Sequence, residues 1–267
     1  IAEVYNQFNE KEQTWPYYSF YLYEDPSINF SKRPQVQSYT QNSKSALFNG
    51  MIHPIIPYNI KGSIWYQGEN NVSRFKEYET LFPAMIKDWR KKWSSDFPFY
   101  FVQIAPFENY NGLSSSLRNV QRKTLKVEKT GMVVTLDIGE IDDIHPSNKH
   151  DVGYRLAGLA LSNDYGKPMV ASGPLYENFE VSGNKLIVTF DFVGSGLTSY
   201  DKELAAFEIA GADKKYVTAK AYIENNKVYI YSSKIQNPKY ARYAWKDTSV
   251  ASLFNKEGLP ASTFTTE

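Results

Sequence analysis

The chain of 267 residues predicts an α/β fold in three layers, a parallel sheet with helices on both faces, followed by a β-rich, sandwich-like C-terminal region. Three observations predict it. Apolar runs of strand length alternate with segments of helical period from about residue 46 to residue 166. Beyond Gly166-Lys167-Pro168 the pattern changes to short alternating runs separated by Gly, Asn, Asp and Ser. Two of the early apolar runs also end in clusters of polar side chains, as strands do at the carboxyl edge of a parallel sheet.

Residues 1–45 are polar and aromatic with little period and read as loops and short helices. Lys61 to Tyr66 is the first buried strand. Phe75, Tyr78, Phe82, Met85, Ile86, Trp89 and Trp93 then recur at steps of three and four, an amphipathic helix that Pro83 should kink. The run Lys87 to Lys92 reads as its solvated face. Pro98 to Ile104 is the second buried strand. Ser114-Ser115-Ser116 can cap a helix to about Val127. Gly131 to Asp137 is the third strand, and a helix spans about Asn148 to Asn163. In the last region Leu186 to Phe190 and Lys227 to Tyr231 alternate as strands, with Ser182-Gly183-Asn184 and Glu224-Asn225-Asn226 as turns. The expected domains are 1–166, a partial α/β domain, and 167–267, the β-rich domain.

Lys and Arg number 30 against 29 Asp and Glu, so no bulk field draws nucleic acid or an anionic membrane. With no cysteine, disulfides, thiolate catalysis and Cys-ligated zinc are excluded. No apolar run approaches the roughly 18 residues of a membrane span. Aromatics at 16% fit a sugar-facing surface, although an aromatic core gives the same number. Ile1-Ala2-Glu3-Val4-Tyr5 is neither a starting Met nor a signal peptide, and the chain reads as the downstream part of something longer.

Two constellations carry chemistry. In Asp142-Asp143-Ile144-His145-Pro146, a neutral imidazole can take the proton of an attacking hydroxyl while Asp142 holds its other nitrogen. The competing reading is a helix start, with Asp142 or Asp143 as cap and Pro146 in the first turn. Of three histidines (His53, His145, His150), only His145 follows a buried strand with an acid three residues back. In Gln67-Gly68-Glu69-Asn70-Asn71, amide side chains and backbone N–H groups at a strand end can donate to a developing oxyanion; an ordinary strand-to-helix loop would use the same residues. Together the clusters suggest acyl-ester hydrolysis. A metal site on Glu69, Glu140, Asp142, Asp143 and His145 is a weaker reading, with one histidine and no repeated ligand spacing. Asn29-Phe30-Ser31 and Asn71-Val72-Ser73 fit the glycosylation sequon, a pattern common by chance.

Residues Ala46 to Pro54 and Ile60 to Asn71 resemble the sialate O-acetylesterases, of the SGNH (GDSL-like) hydrolases. The similarity continues through Phe82 to Arg90, Pro98 to Gln103, Asp142 to Lys149, Arg242 to Trp245 and Asn255 to Ser262. The resemblance implies an SGNH-like sheet, His145 as general base, Asp142 as its orienter, and Gln67, Gly68, Glu69 and Asn70 in the block lining the oxyanion hole. Whether Gln67 or Asn70 donates is open, and Glu69 would order the loop. The family's nucleophile sits in a Gly-Asp-Ser or Gly-Gln-Ser block after the first strand, and this sequence has none. Ser63 follows Gly62 but falls within a strand.

The resemblance therefore implies the C-terminal portion of a carbohydrate O-acetylesterase, its serine supplied by an upstream segment. Its substrate would be an acetylated sugar, sialic acid or another glycan, and its location secreted or periplasmic. It implies neither cofactor nor metal. The alternatives are a non-catalytic carbohydrate-binding or scaffold protein, an inactive fragment, or a metal hydrolase using the acidic cluster.

Overall fold

A computed structural model describes residue 40 and residues 43–267, so most of the expected loops of 1–45 lie outside the described residues. The N-terminal unit reaches Ile55; its described part holds a π-helical turn, Phe48–Ile52, and a 3₁₀ turn, His53–Ile55. Residues 56–267 form a second compact unit, which contains all the elements that follow.

Strands β1 (Ser63–Trp65), β2 (Phe99–Val102) and β3 (Thr130–Val133) pair in parallel in that order, with Ile64 opposite Tyr100 and Phe101 opposite Met132. Alternation along β2 explains the layers, since successive side chains point to opposite faces. Phe99 and Phe101 pack with Tyr78, Phe82 and Ile86 of α1 (Phe75–Trp93) and Leu117 and Val120 of α2 (Ser114–Thr124). Tyr100 and Val102 turn the other way, onto Val152, Leu156 and Leu159 of α3 (Lys149–Asn163). Each of these large side chains, once buried, contributes about 1.5–3 kcal/mol.

Several expectations need correction. The expected buried strand at 61–66 is three residues long and, among the described residues, lies at the sheet edge, with Ile64 70% exposed. The helix through Pro83 is continuous, with Tyr78, Phe82 and Ile86 on its buried face as the period requires. Arg90 departs from the solvated run 87–92. It is buried and donates to the carbonyls of Phe97, Glu128 and Lys129, which lie where strands begin. The three serines do not cap α2. Ser114 and Ser115 are buried in its first turn, and the Asp247 carboxylate, from far along the chain, accepts from the backbone N–H of Gly112 (2.6 Å) and Ser114 (3.0 Å).

The C-terminal region forms two four-stranded antiparallel sheets. The first runs β4 (Leu175–Ser182), β5 (Lys185–Asp191), β10 (Lys227–Tyr231), β9 (Lys220–Glu224). The second runs β13 (Phe264–Thr265), β11 (Tyr240–Tyr243), β7 (Phe207–Ala210), β8 (Val217–Thr218). The short pair β12 (Phe254–Asn255) and β6 (Leu197–Thr198) completes it. Leu186, Val188 and Ile230 of the first sheet share one core with Phe207, Ile209 and Tyr243 of the second, the packing of a sandwich. The expected turns are there, with Gly183, Asn225 and Asn226 all at positive φ. No helix among the described residues is long and apolar enough to cross a membrane.

Candidate functional site

Both sequence clusters lie past the carboxyl ends of parallel strands, Gln67 to Asn70 after β1 and Asp142 to His145 after β3. The first cluster is held from beneath by α2. Gln121, fully buried, accepts from the Ile104 backbone N–H (3.0 Å) and donates to the carbonyls of Val102 (3.1 Å) and Gln67 (3.3 Å). Gly68 is needed for this fit. A Cβ there would stand 2.9 Å from Ile104 Cγ2 and 3.1 Å from Gln121 Nε2.

Above that floor the Gln67 amide is already engaged, donating to Asn71 Oδ1 at 2.6 Å and accepting from the Tyr78 hydroxyl at 3.2 Å. Asn70 is exposed and its side chain is unbonded among the described residues, as is the Gly68 backbone N–H. Glu69 lies among Tyr66, Tyr78 and Tyr110. Burial, reinforced by its negative charge, pushes the Tyr66 and Tyr78 hydroxyls up to about 12 and raises Tyr110 as well. All three phenols stay protonated at neutral pH, and the Tyr78 hydroxyl donates to Gln67.

The loop after β3 is braced at several points. The Glu140 carboxylate accepts from the Ser147 backbone N–H (2.7 Å) and hydroxyl (2.5 Å), closing the loop on itself. These bonds hold Glu140 below the usual carboxylate range. Gly139 passes so near Pro106 that a Cβ would meet its Cδ at 2.6 Å. At the foot, Arg155 of α3 clasps Asp137 with two bonds of 2.8 and 2.6 Å and also donates to the Val134 carbonyl. Both side chains are largely buried, so this pair fixes where α3 and the loop begin.

Asp142 and His145 are themselves exposed, the His145 side chain 88% so. Asp142 makes no hydrogen bond or ion pair among the described residues. The carboxylate nearest the His145 ring is Asp143, 4.0 Å from Nδ1, and Asp143 also accepts from the His145 backbone N–H at 2.7 Å. The helix start is elsewhere: Asn148 caps α3 by accepting from the Asp151 N–H, leaving Asp142, Asp143 and Pro146 outside it. Among the described residues no group of three His, Cys, Asp or Glu could hold a metal ion. His53 lies in the N-terminal unit.

Lys149 joins the two clusters, and sequence reading gave it no role. Its ammonium donates to the Pro146 carbonyl and stands 5.5 Å from the centroid of the Tyr66 ring. Sequence reading gave Ser147 and Gln121 no role either, and gave Glu140 only that of a candidate metal ligand. For Gln121 the one sequence signal is an amide on the apolar face set by Leu117, Val120 and Thr124. The C-terminal region reaches the site through α2: fully buried Arg118 donates to Thr263 Oγ1 (2.9 Å) and to the carbonyls of Ala244 (3.0 Å) and Lys246 (2.7 Å). Burial pulls the Arg118 guanidinium down to about 10, so it remains charged at neutral pH.

Comparison with known proteins adds the family. Residues 33–162 match the family model described as carbohydrate esterase, sialic acid-specific acetylesterase. The chain is 32% identical over 193 residues to the sialate O-acetylesterase of Mus musculus, covering 63% of this chain and 36% of that protein. The Homo sapiens enzyme of the same name is 32% identical over 179 residues, 58% of this chain and 34% of its own. A crystal structure of a carbohydrate acetylesterase from Xanthomonas citri superposes with a TM-score of 0.79 at 38% identity, covering 83% of this chain and 54% of that one. The chain thus spans about a third of the curated relatives it matches and about half of the solved one. Over the segment these proteins share, this chain is similar to the sialic acid-specific acetylesterases among the carbohydrate esterases.

Proposed function

We propose that this chain forms the base-bearing part of a carbohydrate O-acetylesterase that removes acetyl groups from acetylated sugars, sialic acid among them. The observation that carries the reading is the shared edge: Gly68 and Asn70, whose donors are unbonded among the described residues, and His145, exposed with the Asp143 carboxylate 4.0 Å from Nδ1, follow parallel strands of one sheet. In this reading a serine from an upstream segment attacks the acetyl carbonyl while His145 takes its proton. The Gly68 N–H and the Asn70 amide donate to the oxyanion; Gln67, spent on Asn71 and Tyr78, orders the loop with Glu69. His145 returns the proton to the departing sugar hydroxyl, and water then releases acetate from the acyl-serine. Asp142, without a partner among the described residues, orients the ring once His145 turns toward the substrate. No step calls on a metal or cofactor.

The test is the His145→Ala variant in a protein that includes the upstream segment. Acetate release from an aryl acetate and from O-acetylated sialic acid should fall by about 10³-fold or more; a wild-type rate would refute the assignment. Export to the periplasm or the medium accompanies this reading, and fractionation of the source cells tests it. The second reading, a carbohydrate-binding protein without catalysis, is favoured by the missing serine block; glycan binding without acetate release in the longer protein would establish it.

A further inference from the structure

A crevice of about 1120 Å³ opens at the other edge of the sheet, where β3 begins at Thr130 and Gly131, between the α/β layers and the sandwich. It is remote in the fold from Gln67 and His145, which follow the carboxyl ends of the strands. Its lining includes Arg122, Lys126 and Lys129. Arg122 bonds only to Asn119 on its own helix and lies 5.4 Å from the Tyr176 ring centroid, and none of the three forms an ion pair among the described residues. Helix C-termini attract cations on their own account, which explains Arg122 but not Lys129, five residues past the end of α2.

The same lining holds groups of a different kind. Phe192 is 54% exposed at the crevice rim and sits at φ 58°, a conformation costly for a bulky side chain. It is held there from below, because Asn255, fully buried, donates to the Phe192 carbonyl at 3.2 Å and to the Ser172 carbonyl at 3.0 Å. Beside it Glu177 and Asp191 are exposed and unpaired among the described residues. The other lining carboxylates are occupied: Asp164 accepts from the Tyr100 hydroxyl, and Glu267 from Lys214 and Tyr216.

We infer that this crevice is a second binding site, for a carboxylated sugar. Its lining cations meet the carboxylate, Phe192 covers the apolar face of the pyranose, and Glu177 and Asp191 accept from ring hydroxyls. A purely anionic ligand such as phosphate would be repelled by those two carboxylates, and a neutral sugar would leave the three cations unused. The site stands independently of acetyl hydrolysis at the opposite edge.

The test is titration of this chain with 3′-sialyllactose, using lactose as the neutral match, followed by calorimetry or amide NMR shifts. Saturable binding of sialyllactose is expected, with lactose weaker by about tenfold or more, as for the loss of one anchoring contact. Phe192→Ala and the double variant Lys126→Glu/Lys129→Glu should each weaken it by about the same factor, while His145→Ala leaves it unchanged. Added salt should weaken it further. All these side chains are exposed, and an unaltered melting curve confirms that the variants remain folded. Absence of saturable binding, equal binding of lactose, or sialyllactose affinity unchanged in the Phe192 and lysine variants would overturn the proposal. Loss of binding in His145→Ala alone would do the same, by placing the sugar at the other edge.

Discussion

Gln121→Met isolates what α2 does for the candidate site. Methionine keeps the length and nearly the volume of glutamine, so neither a cavity nor a clash confuses the result. What disappears is polar: the Ile104 N–H loses its acceptor, and the carbonyls of Val102 and Gln67 lose a donor. Ile104 and Val102 are fully buried, so water cannot replace the lost partner. The Gln67 carbonyl retains the Tyr78 hydroxyl at 3.3 Å and suffers least. At about 1–3 kcal/mol for each stranded buried group, less the small gain from burying a thioether, the loss is about 3 kcal/mol. At about 2–4 °C per kcal/mol for a chain of this size, Tm should fall by about 6–12 °C. Thermal denaturation by circular dichroism measures this, and hydrogen exchange should show the Ile104 amide accelerated beyond its neighbours. A Tm change below about 2 °C with Ile104 exchange unaltered would refute the claim that Gln121 holds the floor of the site.

Other expectations follow from the same contacts. Asp137→Ala strands the Arg155 guanidinium among buried groups and should cost about 3–5 kcal/mol, read by urea denaturation. Glu140, held low by its bonds from Ser147, orders the loop fully above its unfolded-state value, and that order is lost as pH falls below about 4.5 and through its lower folded value. Exchange of the Ser147 amide should accelerate over that range, and Glu140→Gln should abolish the pH dependence. In the longer protein, Asp142→Asn should reduce kcat by orders of magnitude. Asp143→Asn should act mainly on loop order, by weakening the acceptor of the His145 N–H; an equal loss in both variants would mean that Asp143 does the orienting.

The layers were legible because β2 and α1 carry their burial in their period: four consecutive buried residues in one, and Tyr78, Phe82 and Ile86 in the other. β1 was misread as buried because periodicity reports apolar character and not which neighbour covers it; Ile64 reads the same at an edge as in a core. The cap of α2 was illegible for a related reason. Asp247 is 133 residues from Ser114, and no local pattern announces a cap delivered across the fold. In the site, the strand-end clusters stood out as polar residues after apolar runs. The braces that hold them did not: Gln121 is one amide on a helix face, and Glu140 with Ser147 reads as ordinary loop polarity until the two are seen to bond.

The central claim is that His145 activates a serine supplied by a segment upstream of these 267 residues. Fluorophosphonate labelling of the protein carrying that upstream segment, followed by mass spectrometry of the labelled peptide, tests it most directly. One modified serine upstream of Ile1 is expected, with labelling slowed by about 10³-fold or more in the His145→Ala variant. A label on any serine within residues 1–267, or labelling indifferent to His145, would contradict it.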